Sequence, residues 1–233
     1  MVLRGPDPGR LMDVPEVGDS ALALSALSLT PGLTATIADD ERDSLLFVST
    51  GSGMLIVGDD HSPLRAQSAA LVLAGEEAAL QATGALEAVV LTAGAGTDLH
   101  APMGTRETVV SLDDTEEQQA TGARSFQLLF GPHNGSTRAT LFAGYVPPGK
   151  APWHYHLYDE IVFVPKGPGC LHLGESTEEL GAGSAFRLRP RQVHIVENLG
   201  DDAMTIIGLF TPAGSPSAAY LEPGVAAEYR VAG

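Results

Sequence analysis

Cysteine is almost missing from this chain. Cys170 is the single thiol in 233 residues, so no disulfide can form within it. A lone thiol fits a reducing compartment, and the expected localisation is cytoplasmic. Cys170 itself reads as a packed strand residue rather than a nucleophile. Basic residues are scarce too: 13 Lys and Arg stand against 29 Asp and Glu, a net charge of −16. Such a surface repels nucleic acid and anionic membrane, so neither is expected as a partner. Charge inside a pocket can oppose that balance, so a small-molecule substrate of either sign stays open. No apolar stretch approaches the ~20 residues of a membrane span. Met1 to Asp19 carries Pro6, Pro8 and Pro15 but no apolar signal core, so export is not expected. Long apolar stripes of period 3.6 are also absent, which leaves room for few and short helices.

What the chain does have is short β-type runs. They read as strands at Leu45 to Val48, Met54 to Val57, Ala70 to Leu73, Leu86 to Leu91, Phe126 to Phe130, Ala139 to Val146, Ile161 to Val164 and Thr205 to Phe210. Turn clusters such as Gly58-Asp59-Asp60 and Asn198-Leu199-Gly200-Asp201 separate them. At 44% hydrophobic and 18% charged, the composition is that of a globular rather than a disordered chain.

The chemistry-bearing pattern is Trp153-His154-Tyr155-His156-Leu157-Tyr158-Asp159-Glu160, with His194 further on. Histidines at i and i+2 project from one side of an extended strand. Neutral imidazole and carboxylate suit a first-row divalent metal, and four such ligands leave positions open for water or substrate. An H-x-H pair alone is weak, since seven histidines will sometimes fall two apart. Its frame is stronger: Gly149 precedes the pair, Gly167 follows Glu160, and Gly183 opens a segment running through His194 to Asn198.

This frame resembles the two signature motifs of the cupin superfamily, G-x5-H-x-H-x3,4-E-x6-G and G-x5-P-x-G-x2-H-x3-N. The first is matched from His154 through Gly167, with the step from Gly149 one residue short. The second is matched at Gly183, His194 and Asn198, with Arg189 in place of the usual Pro and Arg191 in place of the usual Gly. Those departures bear on the turn before His194 rather than on the ligand. The resemblance implies an all-β chain of cupin-type antiparallel β-barrels, with His154, His156, Glu160 and His194 holding one divalent transition metal (Fe, Mn, Zn, Ni or Cu).

Shifting the chain by 116 residues lays Asp43 to Gly53 over Asp159 to Gly169, and Ser68-Ala69 over Ser184-Ala185. The four ligand positions then become Ala38, Asp40, Ser44 and Ala78, and one acid cannot hold a transition metal alone. The expected organisation is a bicupin (double-stranded β-helix): an arm at 1–20, a metal-free barrel at 21–112, a polar connector at 113–124 and a metal-binding barrel at 125–233. The resemblance also allows a homodimer.

Among residues near the ligands, Tyr158 shares their strand parity and is the catalytic candidate, while Trp153 and Tyr155 flank the site. Arg187, Arg189 and Arg191 alternate before His194, and Arg189 and Arg191 are candidates to hold an anionic substrate. His172 is expected to point away from the metal. His61, His100 and His133 sit in turn-rich segments without an evident partner. Three functions stay open: a metalloenzyme acting on a small oxygen-rich metabolite (a sugar acid or keto acid) by isomerase-type or enolate chemistry; a cupin dioxygenase with a redox metal; and a non-enzymatic small-molecule binder. The layout of a silent first cupin and a metal-bearing second one resembles that of 5-deoxyglucuronate isomerases, which favours the first.

Overall fold

The computed structural model describes residues 22–94, 101–120, 122–221 and 225–228. The expected N-terminal arm and His100 lie outside them. The first half contains β1 (Leu22–Leu29), β2 (Thr34–Ala38), β3 (Asp43–Thr50), β4 (Ser52–Val57), β5 (Asp60–Arg65), β6 (Ser68–Val72), β7 (Glu77–Ala82), β8 (Leu86–Ala93) and β9 (Val109–Ser111). The second contains β10 (Glu117–Gln119), β11 (Ser125–Phe130), β12 (Thr140–Val146), β13 (Gly149–Lys150), β14 (His154–Tyr155), β15 (Asp159–Val164) and β16 (Gly169–Leu173). It continues with β17 (Ser176–Leu180), β18 (Ser184–Leu188), β19 (Ile195–Asn198), β20 (Met204–Thr211), β21 (Ala219–Leu221) and β22 (Val225–Glu228). Helix is confined, among the described residues, to single 3-10 turns at Leu112–Asp114 and Pro132–Asn134. The described residues are nearly all β, and every strand pairing among them is antiparallel.

Eight strands of each half repeat the same order. The first pairs β1-β8-β3-β6 in one sheet and β2-β7-β4-β5 in the other. The second pairs β12-β20-β15-β18 and β13-β19-β16-β17 in the same order. β6 and β18 begin 116 residues apart, as do β3 and β15. The segment expected as a bare connector does more than connect: β10 adds to the second half's larger sheet by pairing with β11.

Period-two alternation explains the packing. On β3, Leu45 and Phe47 face one way and Leu46 and Val48 the other, and all four are buried. Leu46 and Val48 join Leu55, Leu80 and Val72 inside the first half. Leu45 and Phe47 join a cluster that crosses between halves and includes Leu71, Val89, Leu91, Leu141, Ile161, Ile207 and Leu209. The larger sheets therefore lie back to back, each covered on both faces, which is why their strands read as unbroken apolar runs. On β15, Ile161 faces that shared core. Val162 and Val164 face the interior of the second half, and parity puts Glu160 with them.

Candidate metal centre

The second half's interior is not filled with apolar side chains at one end. His154 sits on β14, His194 just before β19, and the two are joined backbone to backbone. His154 N–H donates to His194 C=O at 3.2 Å, and His194 N–H donates to His154 C=O at 2.9 Å. That bridge brings the two halves of the motif together. His156 follows two residues after His154, and its C=O accepts from the Arg191 N–H at 2.7 Å. Arg191 adopts a left-handed φ of +65°, a conformation that suits glycine and costs other residues about 1–2 kcal/mol. The departure from glycine at this position is thus accommodated as strain in the turn, with the loop shape kept.

One ring nitrogen from each of His154, His156 and His194 lies within 4.8 Å of the other two, and all three residues are buried. Which nitrogen faces the pocket is fixed by the other. Nδ1 of His154 contacts Pro152 O at 2.8 Å, Nδ1 of His156 contacts Ala218 O at 3.1 Å, and Nδ1 of His194 contacts Gln192 O at 2.9 Å. A carbonyl can only accept, so each Nδ1 carries the proton and each Nε2 presents a lone pair. Burial is the main reason these rings stay neutral. It pushes His154 to about 2, with His194, Arg124 and His156 adding repulsion. It likewise pushes His156 to about 3 and His194 to about 4. Three neutral imidazoles, each held through Nδ1, are the donor set that a divalent transition metal takes, so His154, His156 and His194 could hold a metal ion.

Glu160 lines the same pocket, with Oε2 3.9 Å from His156 Nε2. It lies outside the tight histidine cluster. Its Oε1 hangs over Gly208, where an added Cβ would stand 3.0 Å from that oxygen and 2.3 Å from the Phe142 ring. Glycine here lets the carboxylate and the ring share one space. Burial raises Glu160 to about 8 against the pull of Arg124, so a nearby cation is what would keep it ionised.

Tyr158 also lines the pocket. Its ring stacks on His156 (centroids 4.6 Å apart) and on Phe210 (4.0 Å), and its hydroxyl donates to Pro216 O at 3.4 Å. Burial holds the phenol well above its ordinary pKa. The geometry makes Tyr158 a support for the plane of His156. Tyr155 stacks instead on Tyr220, and Trp153 is 40% exposed.

The arginines expected to hold an anion are elsewhere. Arg187 forms a fork on Asp159 at 2.8 and 2.7 Å and also reaches Leu22 O of the first half. Arg189 adds a longer contact to Asp159 at 3.3 Å, and Arg191 is exposed in the turn. The reason is parity: Phe186 and Leu188 line the pocket, so residues 187 and 189 face the opposite side of β18. Neither Arg189 nor Arg191 lines the pocket. His172 is away from it as well, bridging Thr177 Oγ1 at 2.9 Å and Glu197 Oε2 at 2.7 Å.

Sequence reasoning missed Arg124. It stands at the end of the polar stretch, one residue before β11, and enters the pocket with Nη1 3.2 Å from His154 Nε2. Nothing in the local pattern marks it, because only tertiary convergence brings residue 124 to residue 154. The remaining walls are mostly apolar, among them Phe126, Phe142, Val162, Phe186 and Ile206, with Ser125, Tyr145 and Ser217 also lining a cavity of about 70 Å³. On the first half's side the equivalent positions are inert: Asp40 is exposed on the surface and Ala78 is buried in the apolar interior.

Residues 142–210, which span β12 through most of β20, match the Cupin_2 family of cupin domains. The fold is a cupin-like jelly roll. Similar solved structures include a Bacillus subtilis oxalate decarboxylase mutant, 14% identical, with a TM-score of 0.69 over 83% of this chain and 69% of that one. Another is a Bacillus subtilis oxalate decarboxylase studied for its Mn(II) centres, 14% identical, with a TM-score of 0.72 over 88% and 73%. A third is AerE from Microcystis aeruginosa, 15% identical, with a TM-score of 0.67 over 82% and 88%. No curated protein matches the sequence.

Proposed function

We propose that this chain is a bicupin metalloenzyme whose second barrel, 125–233, carries the reaction site while the first, 21–112, is metal-free. His154, His156 and His194 would each give Nε2 to one divalent transition metal, and Glu160 a carboxylate oxygen. The observation that carries the reading is the set of three Nδ1–carbonyl hydrogen bonds, which leaves three neutral lone pairs aimed into one buried pocket. The Mn(II) centres of a similar fold support an oxygen- and nitrogen-liking metal.

The substrate class is a small oxygen-rich metabolite, a keto acid or sugar acid, and the chemistry is isomerase-type or enolate. A metal bound here supplies Lewis acidity to a substrate carbonyl. The protein's own part is orientation and exclusion. Tyr158 and Phe210 hold the His156 ring, Ala218 O keeps its proton on Nδ1, and Phe126, Phe142 and Phe186 keep bulk water from the reacting group.

Elemental analysis of protein purified without added metal tests this directly. About one equivalent of transition metal is expected, falling sharply in His154→Ala with the far-UV circular dichroism of a β-protein retained. Unchanged metal content in that variant would remove the ligand assignment. Oxygen uptake by an iron-loaded sample would move the chemistry to a dioxygenase, and ligand binding without turnover would make the protein a binder.

A further inference from the structure

We propose that the cleft between the two halves is a second binding site, and that it takes a free α-amino acid with an apolar side chain. The proposal stands apart from the metal-centre reading. Thr205 lines this cleft while its neighbour Ile206 lines the histidine pocket, so the two spaces lie on opposite faces of β20. Their volumes differ as well, about 330 Å³ in the cleft against about 70 Å³ beside the histidines. The larger figure is at the low end of the range for small-molecule sites, about 300–1,000 Å³.

Gln67 is the residue that points to a ligand. It holds a left-handed φ of +68°, and its counterpart 116 residues on is Gly183, with φ +79°. The same backbone bond closes both turns: Gln67 N–H donates to Val48 C=O at 2.8 Å, and Gly183 N–H to Val164 C=O at 2.9 Å. Glycine satisfies this turn without strain, so the turn itself calls for no side chain. In the first half a glutamine is held in the same conformation. Gln67 lines the cleft, and its carboxamide has no hydrogen-bond partner among the described residues. Gln127, also on the wall, is fully engaged. Its amide donates to Leu112 O and Thr115 O at 2.8 and 2.7 Å, and its carbonyl accepts from the Tyr145 hydroxyl. Backbone strain of the Gln67 kind gathers at positions that hold ligands.

The walls decide what fits. Phe47, Leu112, Pro165 and Tyr145 supply apolar surface. One anion and one cation join them, Asp113 from the first half and Lys166 from the second. Asp113 meets Arg65 at 3.1 Å, yet a carboxylate offers more lone pairs than one contact uses. Lys166 makes no ion pair among the described residues. A molecule carrying an ammonium and a carboxylate can meet both. Being neutral overall, it escapes the repulsion that a chain of charge −16 exerts on an anion. Exposed charges of this kind select more than they hold. Affinity comes instead from covering the apolar wall and from the Gln67 carboxamide, which can both donate and accept.

Isothermal titration calorimetry on the full chain would measure L-leucine, L-methionine and L-phenylalanine, each against its N-acetyl and methyl ester forms. The wild type is expected to bind at least one free amino acid and to prefer it by about threefold or more over either derivative. Gln67→Gly should weaken that amino acid by about tenfold without lowering the thermal midpoint, since it relieves the strained turn. Lys166→Met should remove the preference over the ester, whose carboxylate is masked, and keep the preference over the N-acetyl form. No binding of any of the three by the wild type would overturn the proposal. So would equal binding of free and derivatised forms. Binding by Gln67→Gly as tight as by the wild type would place the amino acid elsewhere, a metal ion included, and would overturn it too.

Discussion

A buried imidazole and a buried carboxylate respond to pH in opposite senses, and this site contains both. His154, His156 and His194 have native pKa values of about 2, 3 and 4, below their ordinary 6.5. Each therefore contributes stability that is complete above pH 6.5 and is lost as pH falls through the native values. Glu160 runs the other way. Its native value of about 8 lies above the ordinary 4.5, so its contribution is complete below pH 4.5 and is lost as pH rises through 8. Near pH 7 the histidines are ready to bind metal without releasing protons, whereas Glu160 must first lose one. Metal uptake at pH 7 should therefore release about one proton per ion, with affinity rising until about pH 8. Calorimetric titration in buffers of different ionisation enthalpy reads that number. No release at pH 7 would mean that Glu160 is already ionised or takes no part.

At the scale of elements, β18 shows how one strand serves two tasks. Phe186 and Leu188 face the pocket, while Arg187 faces the first half and holds Asp159 and Leu22 O. Its side chain is 8% exposed, and removing it would leave Asp159 with the longer contact from Arg189 at 3.3 Å. Arg187→Ala should cost about 1–3 kcal/mol of stability, measured by urea unfolding, yet leave metal content unchanged. The same strand shows what was legible in the sequence. Ser184 to Leu188 lies 116 residues after Ser68 to Val72, so the repeat marked Ser184-Ala185 as the counterpart of Ser68-Ala69, but β18 itself was not among the expected strands. β3 and β15 were legible because burial on both faces makes a continuous apolar run. β7, Glu77–Ala82, was not, since its alanines carry little strand preference. β17, Ser176–Leu180, is an edge strand with four exposed residues out of five, so no apolar alternation marks it. The histidines were legible from their spacing together with the glycine frame that resembles the cupin motifs. Arg124 was not, because a polar run ending in arginine looks the same whether that arginine meets solvent or a pocket.

For the whole molecule, the first half has a physical role in holding the site. Ile161 stands next to Glu160 in sequence and packs in the cluster shared with Leu45, Phe47, Leu71 and Leu91 of the first half. The strand that presents the carboxylate is thus clamped from behind by the other half. Without that cover, Leu141, Ile161, Ile207 and Leu209 would face water, an apolar patch that a soluble domain rarely tolerates. A core common to both halves couples their stabilities. Leu209→Ala, at a site with no exposure, should cost about 2–5 kcal/mol. The loss should appear as a lower midpoint for one unfolding transition of the entire chain, followed by calorimetry in parallel with the fluorescence of Trp153, which lies in the second half. Two transitions, with only one of them moved by the substitution, would mean that the barrels fold separately and that the first half does not hold the site.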